Sequence, residues 1–258
     1  MDWLSLPFHE ATGRVVYKAV FGGYDVVDPV GEDFSENVDS FVLFTDDMSM
    51  DVQGWSIVYV KDSSYSPVEL NRFYKLMPHV CLPNSDVTLY IDGNISLTPV
   101  GISQVFDFAI LKKFDFMNMK HFSRVSIFDE AEVLLRSDRV DPLRLVREIH
   151  DIYKQGFRSE IIMGENNVLF RKTKATKELG EMWFMKYLNG AGRDQISLPP
   201  ILRDLNISFG VFPRNVRDTI GFKYSKHLFV SRQSINSKLG RYILFVLPYK
   251  AIRSVFRF

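Results

Sequence analysis

Val87-Thr88-Leu89-Tyr90-Ile91-Asp92-Gly93-Asn94-Ile95 joins a largely apolar, β-branched run to an acid, a glycine and an amide. The run reads as a strand covered on both faces, because a strand with one solvated face alternates polar and apolar residues. Its end at Asp92 puts a carboxylate and an amide two residues apart on one side of an extended segment, with a glycine between them that permits close approach. Oxygen donors so placed suit Mg²⁺ or Mn²⁺ bridging to a diphosphate, since hard cations take carboxylate and carbonyl oxygens and keep positions open for phosphate. The same three residues also make an ordinary turn, as Asp-Gly and Gly-Asn are common turn dipeptides.

Upstream, Val15-Val16-Tyr17-Lys18-Ala19-Val20-Phe21 closes on Gly22-Gly23, Phe41-Val42-Leu43-Phe44-Thr45 stops at Asp46-Asp47, and Trp55 to Val60 makes a third strand. Between that strand and the one ending at Asp92, Leu70, Phe73, Tyr74 and Met77 recur at helical spacing over Pro67 to His79. Further on, Val133 to Phe157 reads as one or two helices bounded by Pro142 and Gly156. Doubly covered strands alternating with helices predict an α/β fold with a mainly parallel central sheet flanked by helices. Ligands of such sheets gather at the carboxyl ends of the strands, where Gly22-Gly23, Thr45-Asp46-Asp47 and Asp92-Gly93-Asn94 would lie.

The chain has 258 residues, 46% hydrophobic and 14% aromatic, enough to bury a sizeable core. One cysteine, Cys81, excludes an intramolecular disulfide and a CxxC zinc site and suits a reducing compartment. Met1 to Glu10 has two acids, no Lys or Arg and no signal-peptide pattern, so a cytoplasmic location is expected. No GxGxxG or GxxxxGK[ST] loop is present, which counts against a Rossmann dehydrogenase or a P-loop enzyme.

Residues 219–258 hold eight Lys or Arg and no acid, whereas residues 1–218 carry 24 basic and 31 acidic side chains. The expected organisation is therefore one domain over 1–218 and a basic amphipathic segment over 219–258. Within it Lys250, Arg253 and Arg257 share helical spacing and Tyr249, Ile252, Val255 and Phe256 lie towards another side, with Pro248 as a breaker. Such a helix suits the anionic inner face of a membrane, as a peripheral contact, or packs on the domain with a solvated basic face. Nucleic acid is the weaker reading, because the acidic domain would repel it.

Six ordered segments resemble a glycosyltransferase-like family that includes plant mucilage hexosyltransferases and is related to glycogenin-like GT-A enzymes. They are Val16-Tyr17-Lys18-Ala19-Val20-Phe21-Gly22-Gly23-Tyr24-Asp25, Phe44-Thr45-Asp46-Asp47, Asn71-Arg72-Phe73-Tyr74-Lys75 with Pro78-His79, Ile91-Asp92-Gly93-Asn94, Lys120-His121 with Arg124 and Glu130, and Arg193-Asp194-Gln195. The resemblance spans roughly Val15 to Leu198 and implies a GT-A-like domain. By it, Asp92 and Asn94 stand for a DxD-type metal motif in which Asn replaces the second acid and removes one charge. Phe21, Gly22, Gly23 and Tyr24 would hold the nucleoside, with Tyr24 stacking on the base, and Gly93 would allow the diphosphate to approach.

Arg72 and Lys75, at i and i+3 on a helix, point to one place, and the resemblance aims them at the donor diphosphate; a solvated helix face is the other reading. His79 helps there or merely ends the helix. The resemblance puts Asp194 on sugar hydroxyls and Gln195 near the anomeric carbon, beside Arg193, although Asp194 also suits a helix cap. His121 and Glu130 match the family pattern too. His227, the last histidine, corresponds to the late histidine that completes the metal shell in GT-A enzymes, or belongs to the basic segment. The implied activity is metal-dependent transfer of a hexose from a UDP-type sugar to a glycan or lipid-linked acceptor. Two other readings use the same site: a nucleotide-sugar hydrolase or phosphotransferase, and a non-catalytic nucleotide-sugar-binding scaffold.

Overall fold

The computed structural model describes residues 3–34, 37–61, 64–218, 221–225 and 239–256. Strand β1 (Gly13–Val20) keeps six consecutive residues buried, Val15 to Val20, because it lies inside a seven-stranded sheet. With β2 (Ser40–Thr45), β3 (Ser56–Tyr59), β4 (Ser85–Ile91), β5 (Ile95–Leu97), β6 (Phe116–Lys120), β7 (Gly164–Lys172), β8 (Phe209–Phe212) and β9 (Phe222–Tyr224), the sheet order is β3-β2-β1-β4-β7-β6-β8. β1 runs parallel to β2 and β4, β2 to β3, and β6 to β8. Only the β4–β7 ladder among those pairings is antiparallel. The mainly parallel α/β architecture expected from the doubly covered strands is what forms.

Helix α1 (Pro67–Leu76) starts at a capping box, with Ser66 Oγ accepting from Glu69 N and Glu69 reaching back to Ser66 N. It stops short of the expected His79, because Met77 precedes Pro78 and a residue before proline is pushed out of the helical region. The short α2 (Pro78–Cys81) follows. Helices α3 (Pro99–Leu111), α4 (Ile127–Leu135), α5 (Pro142–Lys154), α6 (Lys177–Asn189) and α7 (Asp194–Asp204) complete the central part of the chain, so the span 133–157 holds parts of two helices.

Backbone proximity divides the chain into two compact units: Met1–Lys120, Glu165–Phe184 and Ile207–Phe229 form the first, and His121–Gly164, Met185–Asn206 and Val230–Phe258 the second. In the first, α3 packs Ile102 and Phe106 against Leu89, Ile91, Met117 and Phe170 of the sheet. Here β9, from the start of the basic segment, pairs antiparallel with β5 and sets Tyr224 opposite Ile95.

The second unit is helical around Leu134, Leu145, Ile149, Phe157, Ile196 and Val246. A π-helical turn, Tyr242–Val246, runs without a break into α8 (Leu247–Phe256), so Pro248 lies inside a continuous helical stretch, and the wider π turn before it accommodates the backbone bond that its missing N–H cannot make. Tyr249 is buried and donates to the Phe128 carbonyl at 3.0 Å. Lys250 and Arg253 turn towards α4 and pair with Glu132 at 3.2 Å and Asp129 at 2.7 Å. Among the described residues no helix is long and apolar enough to cross a membrane.

Candidate active site

The parallel registers pair Val20 with Thr45 and Tyr17 with Tyr90, so β1, β2 and β4 end on one edge. There Gly22 and Gly23 take φ values of +69° and +63°, a conformation that glycine alone adopts without penalty. The Gly22 N–H donates to both Asp46 oxygens, at 2.9 and 3.0 Å, which ties the loop after β1 to the loop after β2. Phe21 is buried and stacks on Tyr74 at 5.5 Å, so it forms the floor of this edge. Tyr24 is 43% exposed.

Asp92 follows β4 and is partly exposed, while its partner Lys75 is buried and places Nζ 3.1 Å from Oδ1. Beneath the pair lies the ring of Tyr90, 5.1 Å from the Lys75 ammonium. Burial, and after it the Asp92 charge, holds the Tyr90 phenol well above its usual range, so it stays a neutral donor. Arg72 donates to Asn71, whose amide is fixed by the Ala19 carbonyl at 2.7 Å. The two cations of α1 thus reach the same edge, with Lys75 committed to Asp92.

The turn is also held from below. Lys18 is buried within β1 and donates to the carbonyls of Gly93 at 3.2 Å and Ile95 at 2.6 Å. Burial lowers its pKa to about 8, against the opposing charges of Asp28, Asp25 and Asp92. Gly93 is tightly enclosed, since a Cβ there would stand 2.8 Å from the Asp25 Cβ and 2.9 Å from a Val20 methyl group. Asn94 donates Nδ2 to the Ser225 carbonyl at 2.7 Å, which orients its amide oxygen away from that bond. Alongside, the Asn167 carbonyl accepts from Asp92 N at 2.8 Å, and Arg217 bonds Glu165 at 2.9 Å while lying over Tyr224. Asn118 and Asn166 form a further buried amide pair at 3.0 Å.

In the second unit, buried His121 accepts on Nδ1 from the N–H groups of Ser123 and Arg124, at 3.1 and 2.9 Å, so its proton resides on Nε2. Glu130 is buried between Arg124 at 2.5 Å and Arg193 at 3.8 Å. Burial raises its pKa, and the two guanidinium groups oppose that rise. Asp194 is buried at the first position of α7, where the helix dipole favours its charge, and its Oδ1 accepts from Gln195 N at 3.1 Å. It is not the cap: Arg193 holds that position. Gln195 is half-buried, and Pro199 removes the donor that would have paired with its carbonyl.

His79 lies in α2 and does not end α1. It packs beside Gly180 and lies 3.6 Å from Glu181 of α6. Burial lowers its pKa from 6.5 to about 4, with Glu181 opposing. The unfolded chain therefore binds this proton more readily, so the stability is complete above pH 6.5 and is lost as pH falls from 6.5 to 4. His79→Gln should flatten the melting temperature against pH in that window; an unchanged acid slope there would reject this assignment.

The model of the TOD1/MUCI70 glycosyltransferase-like domain matches residues 8–227. The chain belongs to that family. A relative from Arabidopsis thaliana, "Probable hexosyltransferase MUCI70", is 25% identical over 222 residues, or 76% of this chain. The chain spans 38% of that relative's length. Similar solved structures include 4-diphosphocytidyl-2C-methyl-D-erythritol synthase from Anaerococcus prevotii, at 12% identity with a TM-score of 0.38 over 93% of this chain and 99% of the other. Mouse xyloside xylosyltransferase 1 in its apo form is another, at 9% identity with a TM-score of 0.44 over 78% and 85%.

The TOD1/MUCI70 match contains the Asp92 turn, whose chemistry suits a divalent cation only together with a substrate. Among the described residues no group of three or more His, Cys, Asp or Glu side chains is arranged to hold a metal. Asp92 and the Asn94 amide oxygen are two hard donors, and a diphosphate would have to contribute others. His227 lies outside the described residues; Ser225, two positions before it, is the residue that fixes the Asn94 amide.

Proposed function

We propose that this member of the TOD1/MUCI70 family transfers a hexose from a UDP-type nucleotide sugar to a glycan or lipid-linked acceptor. The observation that carries the reading is the Asp92–Gly93–Asn94 turn, presented at the strand edge between Lys75 and Lys18. Asp92 and Asn94 would hold Mn²⁺ or Mg²⁺, which would neutralise the departing nucleoside diphosphate when bound. Lys75 directs the Asp92 carboxylate, and Lys18 fixes the backbone that carries it. Arg72 adds positive charge for the leaving group, a contribution that grows as charge develops there. Tyr24 is the base-stacking surface, and Asp194 and Gln195 carry the sugar-directed roles that the family resemblance gives them.

Thermal shift with a panel of nucleotide sugars tests this directly. UDP-sugars should raise the melting temperature in the presence of Mn²⁺ and much less without it. No Mn²⁺-dependent shift with any nucleotide sugar would reject the reading. Sugar release without an acceptor would instead favour the hydrolase reading.

A peripheral membrane contact rests on the exposed apolar side chains Leu239, Ile243, Leu244, Leu247 and Ile252. Since Lys250 and Arg253 are turned to α4, the contact would be more apolar than the basic pattern of the sequence implies. Deleting the helix would strip Val246 and Tyr249 from the core of the second unit, so a point change is the cleaner test. Leu244→Glu should weaken binding of the full chain to anionic vesicles, and equal binding of that variant would reject the contact.

A further inference from the structure

The second unit contains a cavity of about 450 Å³ between α5 and the carboxyl end of α6. That size is within the range of small-ligand sites. Its lining includes Arg144, Arg147, Lys186, Asp151 and Asn189, with Glu148 among them. Among the described residues, the Arg144, Arg147 and Lys186 side chains form no hydrogen bond or ion pair with a protein group. Three cations lining one cavity, none of them within ion-pair distance of its acids Glu148 and Asp151, are a site for an anion.

The other side of the cavity has the opposite character. Glu148 is 8% exposed, and its Oε2 accepts from the Ala191 N–H at 2.7 Å. Its Oε1 is buried without a hydrogen-bond partner, a state that disfavours the fold unless something occupies it. The carboxylate cannot swing away towards α6, because Gly190 leaves it only the room of a missing Cβ, which would stand 2.6 Å from Oε2. The Lys186 carbonyl accepts from Gly190 N at 2.9 Å, and the carbonyls after it at the end of α6 add further acceptors. A simple anion satisfies the cations and is repelled by this wall. A simple cation meets the reverse.

We propose that this cavity binds a sugar bearing one anionic group, with hydroxyls donated towards Glu148 and the α6 carboxyl end and the anion held by Arg144, Arg147 and Lys186. A carboxylate and a phosphate are equivalent in this argument, so the occupant is a sugar acid or a sugar phosphate. The cavity belongs to a different unit from Asp92, and its ligand binding is read separately from sugar transfer. Failure here leaves the transferase reading standing, and failure there leaves this site standing.

Calorimetric titration of the full chain with glucuronate, glucose 6-phosphate, glucose and inorganic phosphate is the test. At least one charged sugar should bind with a Kd of about 1 mM or tighter, about tenfold more tightly than glucose or phosphate alone. Whichever charged sugar binds better identifies the source of the anion. Arg144→Gln with Arg147→Gln should weaken it about tenfold, Glu148→Gln should weaken it measurably, and Asp92→Asn should leave it unchanged. The proposal is overturned if neither charged sugar binds, if glucose or phosphate binds equally well, if Glu148→Gln has no effect, or if Asp92→Asn weakens binding as much as the arginine changes do.

Discussion

Asp92→Ala is expected to reduce sugar transfer at least 100-fold, the scale on which a single preorganised electrostatic group acts in catalysis. It should also destabilise the protein, by about 3–5 kcal/mol, because it leaves the buried Lys75 ammonium without its carboxylate. Lost activity in that variant alone would therefore be ambiguous. Adding Lys75→Met removes the stranded charge and fills the space with a side chain of similar length, so the double variant should regain most of the lost melting temperature. It should not regain transfer. Asp92→Ala with native turnover would remove this turn from the active site, and a double variant that recovered both properties would show that the carboxylate serves stability alone.

The sheet was legible because its signal is local. Val15 to Val20 and Val87 to Ile91 are strands whose burial on both faces shows directly in their composition, and the acids and glycines that follow them mark the edge where they end together. Helix α1 was legible to its proline. Lys18 was not read as a site residue, although a lysine inside a buried strand is itself a signal that its charge has partners. Those partners are the carbonyls of Gly93 and Ile95, more than seventy residues away, and only parallel pairing brings them under it. Glu165, Asn166 and Asn167 carry no local signal for the same reason. Their strand β7 lies against β4 through an antiparallel ladder that no local pattern announces. The direction of a basic side chain was equally hidden: helical spacing put Lys250 and Arg253 on one face, and the acids of α4 decided that this face turns inward.

Glu130 is likewise buried, its side chain 2% exposed between Arg124 and Arg193. Glu130→Gln keeps the shape and removes the charge, so the two guanidinium groups lose the carboxylate that lies between them. The expected cost is about 2 kcal/mol, below the usual 3–5 for a broken buried pair because both arginines retain some solvent. Lys177→Gln, which breaks a pair that is 64% and 50% exposed, should cost under about 0.5 kcal/mol. Arg193 immediately precedes Asp194 and caps the helix that Asp194 begins, so its displacement should reach the sugar-directed residues as well. Transfer by Glu130→Gln should fall about tenfold or more in kcat/KM, while Lys177→Gln stays at the native value. Glu130→Asp, which restores the charge on a shorter arm, should recover part of both losses. If Glu130→Gln melts and turns over like the native protein, the Arg124–Glu130–Arg193 cluster neither holds the second unit together nor positions Asp194.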